Sequence, residues 1–245
     1  VGLYLRLRVD ESPEFKALLS EDKVVRAPFR QMLKTHPRNL LIATGARSAD
    51  AVGGQLYNVF ALTYCTEALH LPATVGLTGV MAANLVGLAV IPLAGHLCDR
   101  FGRRPVYLAG LGFLAAFAFP FFWLLGSRSP LLVVLALVLS YGFGVKVILS
   151  VSGAYLAELF DPRIRSSAVT TARTISDPLA GFTPVIATSL LVASGSYWSV
   201  AVFMLVFVGI AFFCVWIGPE TQRLVHPVTE RDQAAADSEL PRTIG

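Results

Sequence analysis

The sequence predicts an all-α membrane protein that crosses the bilayer six times. Three observations carry this expectation. Of 245 residues, 55% are hydrophobic and only 15% charged, against about 45–50% and about 25% in a soluble domain. The apolar residues gather into six runs, each near the roughly 20 residues of helix that a hydrocarbon core about 30 Å thick requires. The Lys and Arg residues fall almost entirely on one side of those runs. Mean hydropathy is +0.64. Such a composition excludes a disordered chain and argues against a soluble enzyme.

The elements follow in order. Residues 1–39 read as the end of a preceding helix (Val1 to Val9, closing with Arg6 and Arg8) followed by a polar cytoplasmic linker that includes Glu11-Ser12-Pro13-Glu14. The transmembrane domain is expected over 40–218, with spans near 40–64, 74–97, 106–126, 131–157, 168–193 and 198–218. The third and sixth contain no charge, whereas the first carries Arg47 and Asp50 and the fifth Arg173 and Asp177. Loops cannot replace these helices, because lipid offers no partner to exposed backbone groups. Residues 219–245 are polar and read as a disordered cytoplasmic tail.

Orientation follows from charge. Sixteen of the 20 Lys and Arg residues lie before the first span, between the second and third, between the fourth and fifth, or after the sixth. Arg128 is alone on the opposite side. The positive-inside rule then puts both ends of the array in the cytoplasm of a cell (plasma) membrane. The pI near 9.1 reads as topology, and no nucleic-acid partner is expected. Cys65, Cys98 and Cys214 are far apart and the four His share no ligand spacing, so neither a disulfide framework nor a metal or cofactor site is expected. Gly110, Gly112 and Ala115 match a dinucleotide fingerprint by letter but lie inside an apolar span with no strand before it. No nucleophile–base spacing suggests an enzyme.

Between the second and third spans the chain reads Gly95-His96-Leu97-Cys98-Asp99-Arg100-Phe101-Gly102-Arg103-Arg104-Pro105. Gly95 is suited to close helix approach, Gly102 to a tight turn, and Pro105 to a first helical turn. Asp99 sits where a carboxylate can meet an Arg or a helix N-terminus. This segment resembles the loop signature of the major facilitator superfamily, Gly-x-x-x-Asp-Arg-x-Gly-Arg-Arg. Three further segments are similar to the family in order and spacing: Val9 to Phe15, the stretch Ala157-Glu158-Leu159-Phe160-Asp161-Pro162-Arg163-Ile164-Arg165, and Pro219-Glu220-Thr221. The resemblance implies the six-helix C-terminal half of a twelve-helix secondary transporter. Its partners would be membrane lipid and the N-terminal six-helix half, or another half by dimerisation. The loop Gly95, Asp99, Arg100, Gly102, Arg103 and Arg104 would help hold one conformation, with Glu158, Arg163 and Arg165 forming a second loop motif.

Within the superfamily the chain resembles the metabolite:proton symporters, carriers of osmolytes such as proline and betaine and of carboxylates such as shikimate, 2-oxoglutarate and citrate. The clue is Gly45-Ala46-Arg47-Ser48-Ala49-Asp50 followed by Tyr57, Phe60 and Tyr64. The chain has Asp50 where members commonly carry Glu, and Ser150-Val151-Ser152-Gly153 where they often show Gly-Pro-Gln. Lys146, Arg173 and Asp177 stand where uncharged residues are usual. The resemblance implies symport of a small organic solute with a proton.

The residues themselves point to a site. Each intramembrane charge costs about 2.5–3.5 kcal/mol at a helix centre, so Arg47, Asp50, Lys146, Arg173 and Asp177 should face one another or a watery path. Helical spacing lays out three polar stripes: Arg47, Asp50, Gly54, Tyr57 and Tyr64; Gly142, Lys146, Ser150 and Gly153; and Thr170, Arg173, Asp177, Gly181, Pro184 and Thr188. The spacings i,i+3 and i,i+4 equally allow Arg47–Asp50 and Arg173–Asp177 to neutralise each other structurally. Lys146 has no partner in its own span and suits an anionic substrate group or a cross-helix partner such as Asp50. The five charges sum to a single positive charge, which favours an anionic or zwitterionic solute. Asp50 is the first choice for proton coupling and Asp177 the second. Gly79, Ala83 and Gly87 form a small-residue face for close packing; Asn84 is expected at a packing contact, and Phe119 to Trp123 in an interfacial aromatic belt. Two alternatives stay open: a sugar or drug carrier of the same superfamily, or a transport-dead membrane fragment acting through a partner.

Overall fold

The computed structural model describes residues 37–160 and 164–219. The expected linker up to residue 36, Arg163, and the tail from residue 220 lie outside the described residues. The described chain is an all-α bundle of six helices. α1 runs through Pro37–Gln55, a π-helical segment Leu56–Phe60, Ala61–Thr63 and a second π segment Tyr64–Ala68. α2 is Ala73–Phe101 and α3 is Arg103–Gly126. α4 spans Pro130–Glu158, with π turns over Val138–Val145 at its middle. α5 is Arg165–Ser194 and α6 is Trp198–Ile217.

The boundaries have local causes. Gly102 alone separates α2 from α3, and its φ of 97° is available only to a residue without a side chain. Gly195, at φ 63°, stops α5 in a left-handed cap. Pro130 occupies the first turn of α4, where its missing N–H costs nothing.

Five helices, α2 to α6, are long and apolar enough to cross a membrane. α1 is the exception among the six expected spans: its α-helical part carries Arg38, Arg47 and Asp50, and π turns interrupt the remainder. Large apolar side chains cover the outside, with Leu88 at 70% and Val192 at 77% exposure. That surface suits hydrocarbon as solvent, and the protein is a multi-pass membrane protein.

α1 packs on α5 and α6, α2 packs on α4, and α3 bridges α4 and α6. Gly79, Ala83 and Gly87 are buried along the α2–α4 contact, as their spacing predicts. A side-chain carbon at Gly142 would stand 2.7 Å from the Ala83 carbonyl oxygen, so this glycine sets the α2–α4 approach and does not join the polar stripe. Gly95 differs from expectation in the other direction, because a side-chain carbon there would meet nothing within 4 Å. The run Phe119 to Trp123 divides. Phe121 and Phe122 are fully buried, Phe121 edge-on to Tyr57 at 4.8 Å and Phe122 stacked on Tyr197 at 5.6 Å. Trp123 projects outward, at 74% exposure. The expected belt is therefore largely core, because successive residues of a helix cannot share one face.

Candidate functional site

Arg47 is held where three helices meet. The hydroxyl of Tyr107 on α3 donates to the Ala46 carbonyl oxygen at 2.9 Å, and Ser176 on α5 donates to that of Thr44 at 3.3 Å. Small buried residues on α1 (Ala43, Ala46, Ala49) permit this close approach. The Arg47 guanidinium then donates in two directions. One nitrogen reaches Asp50 Oδ2 at 3.2 Å within α1, and the other reaches Asp177 Oδ1 at 3.1 Å on α5. The Asp50 side chain is 1% exposed and the Asp177 side chain 58%. One cation thus joins a sealed carboxylate to an open one.

Ser152 on α4 donates to the same Asp50 oxygen at 3.3 Å, while Asp50 Oδ1 and Arg47 Nε have no hydrogen-bond partner among the described residues. A buried carboxylate with one oxygen unpaired depends heavily on its single cation. The Arg47–Asp50 spacing read from sequence is present as a contact. The Arg173–Asp177 spacing is not: Asp177 turns to Arg47, and Arg173 lies exposed with no ion pair among the described residues.

Lys146 sits apart from this group. It does not reach Asp50. Its ammonium lies 4.6 Å from the ring centre of Tyr141 and 3.4 Å from that residue's hydroxyl oxygen, to which Asn58 Nδ2 also donates at 2.5 Å. A π turn closes bonds from i to i+5, so it places Tyr141 beside Lys146. The ammonium has no acidic partner among the described residues. It opens on a cleft lined by Met81, Asn84, Leu85, Leu88 and Ile91 of α2. Asn84, expected at a packing contact, is exposed there and donates to the Val80 carbonyl oxygen of its own helix.

Tyr57 is the sequence candidate that the structure moves away. It is 1% exposed and packs in the aromatic core. The spacing that links Asp50, Gly54 and Tyr57 assumes a regular helix. The π segment Leu56–Phe60 inserts a residue and turns Asn58 to the polar side instead. Asn58, Tyr141 and Ser152 are therefore functional candidates that periodicity missed.

A second cluster lies at the α2–α3 turn. Arg103 bonds Glu158 of α4 at 2.5 Å, so the first loop motif touches the second. Arg104 donates to the Trp216 carbonyl oxygen on α6 and lies 5.7 Å from that ring's centre. Arg100 covers the Phe101 ring at 5.5 Å. Asp99 and Arg165 are both exposed at helix ends.

A lipid-facing bundle with buried and half-open charges between its helices is the architecture of a membrane transport protein. The chain belongs to the Major Facilitator Superfamily, whose family model matches residues 43–242; members of this family are transporters, not enzymes. It is 30% identical to the glycine betaine/proline/ectoine/pipecolic acid transporter OusA of Dickeya dadantii, over 84% of this chain and 43% of that protein. The shikimate transporter of Escherichia coli is 28% identical, over 83% of this chain and 48% of its own length. The inner membrane metabolite transport protein YhjE of Escherichia coli is 30% identical, over 91% and 51%. The chain spans about half the length of the curated relatives it matches.

Proposed function

We propose that the chain forms the C-terminal half of a twelve-helix carrier that moves a small anionic or zwitterionic metabolite together with a proton, and that its helix ends carrying Arg103 and Arg165 face the cytoplasm of the plasma membrane. The likeness to carriers of betaine, proline and shikimate supports the solute class. The observation that carries the mechanism is the sharing of Arg47 between Asp50 and Asp177.

Asp50 remains an anion while Arg47 faces it. When Arg47 is drawn toward Asp177 or toward a bound anion, the buried Asp50 loses its counter-charge and takes up a proton. Return of Arg47 expels that proton on the other side, after the two halves have rocked about the site. Arg173, one turn before Asp177 on the same exposed face of α5, adds positive potential along the path. Arg103–Glu158 and Arg104–Trp216 tie α3 to α4 and α6 and so stabilise one of the two arrangements. Asp99 and Arg100, exposed at the same turn, would contribute to the contact with the other half.

The test uses the complete transporter in proteoliposomes with labelled proline, glycine betaine and shikimate. Asp50→Asn should abolish accumulation driven by a pH gradient and preserve exchange of solute for solute. Unchanged pH-driven accumulation in that variant removes Asp50 from the coupling step.

A further inference from the structure

Among the described residues, Lys146 is the intramembrane cation that a hydrogen bond and a ring hold without neutralising it. Its hydrocarbon stem lies against Gly87, where a side-chain carbon would stand 2.9 Å from Cγ and 3.1 Å from Cε. The glycine therefore makes the groove in which the lysine lies. The ammonium rests on the Tyr141 ring and donates to the Tyr141 hydroxyl oxygen, which also accepts from Asn58. An oxygen that accepts two hydrogen bonds has its own proton left to give. An ammonium and a phenol, both with protons to donate and no acid beside them among the described residues, form an acceptor-seeking pair. The cleft on which the ammonium opens, roughly 370 Å³, is mainly apolar, with Met81, Leu85, Leu88 and Ile91 on its wall and Asn84 beside them; Tyr141 and Asn58 hold the lysine from behind.

We propose that Lys146, positioned by Tyr141 and Asn58, forms a subsite for the carboxylate of the transported solute, with the solute's hydrocarbon part lying along α2. The subsite rests on the transport reading given above and names the cation of this chain that would receive the solute's carboxylate. It is distinct from the Arg47 group, which holds its own two carboxylates. Gly87 acts as a positioning residue, since any larger side chain displaces the lysine stem.

The same chemistry has a second possible source, an Asp or Glu side chain from elsewhere in the complete transporter, and the experiment separates the two. The complete protein, purified in detergent, is heated with increasing shikimate or proline and, in parallel, with methyl shikimate, a neutral compound that keeps the shikimate skeleton and loses the carboxylate. The readout is the ligand concentration giving half of the maximal thermal stabilisation. A charge-assisted hydrogen bond to a carboxylate corresponds to about a 10- to 100-fold change in affinity. Lys146→Gln should raise the concentration needed for at least one carboxylate by that factor and leave its neutral analogue within about twofold. Lys146→Arg should keep most of the carboxylate affinity, and Gly87→Val should weaken the carboxylate selectively.

Three results overturn the subsite: no carboxylate stabilises the unaltered protein, Lys146→Gln leaves carboxylate affinity unchanged, or acid and neutral analogue weaken equally. The second result, joined to a lower melting temperature of the ligand-free variant, assigns Lys146 to an internal acidic partner. Equilibrium binding needs no proton gradient, so failure of the Asp50 coupling step leaves this outcome readable, and failure here leaves that step standing.

Discussion

The Arg103–Glu158 pair and the Arg47–Asp50–Asp177 group both join helices distant in sequence, yet they balance charge differently. At the α2–α3 turn, one arginine meets one glutamate, with side chains 23% and 10% exposed. Within the bundle, one arginine serves two carboxylates, one sealed and one open. The first arrangement fastens α3 to α4, although Glu158 Oε2, like Asp50 Oδ1, has no hydrogen-bond partner among the described residues. The second gives the arginine two places to be. A one-to-one pair holds a geometry; a cation shared between two anions can exchange them at small cost, because neither position neutralises everything.

Substitutions can break this contrast. The largest effect is expected for Arg47→Gln, which leaves Asp50 as an uncompensated buried charge and should cost about 3–5 kcal/mol of stability. Thermal unfolding in detergent measures it, and adding Asp50→Asn should restore most of the stability without restoring uptake. If the single variant melts like the unaltered protein, Asp50 does not depend on Arg47. Next comes Glu158→Gln, expected to cost about 1.5–3 kcal/mol by weakening a charged hydrogen bond. Exchanging the two residues (Arg103→Glu with Glu158→Arg) should recover part of it. The smallest effect on stability is expected for Asp177→Asn, because an exposed ion pair contributes about 0–1 kcal/mol. Its transport rate should nevertheless fall, and a variant with both stability and rate unchanged would show that Arg47 needs only one carboxylate.

Much of the fold was legible because lipid imposes a strong rule on sequence. Apolar runs of sufficient length marked α2 to α6, and Gly102 announced the turn between α2 and α3. α1 was harder, since its charges lower its hydropathy and its π turns break periodicity. The candidate site was legible in parts. Arg47 and Asp50 lie one turn apart on a regular stretch, so spacing alone brings them together. Spacing alone also offered Arg173 to Asp177, but the close α1–α5 contact brings Arg47 nearer, and tertiary packing is not written in one helix. Tyr57 and Asn58 exchanged places because the period changed between Asp50 and them. The Lys146–Tyr141 contact, five residues apart, falls outside any 3.6-residue pattern. The two loop motifs were each contiguous in sequence, while their meeting through Arg103 and Glu158 required the folded chain.

The π segment in α1 has a consequence for how this helix can vary. A residue removed from Leu56–Phe60 would let that stretch close as ordinary α-helix while the side chains beyond it kept nearly their present facing, because the π turn has already absorbed the extra residue. The same loss within the regular stretch Pro37–Gln55 would turn the two halves by about 100° relative to each other and break either the ion group or the Asn58–Tyr141 contact. The segment is therefore the place where α1 can lose a codon without re-facing either half.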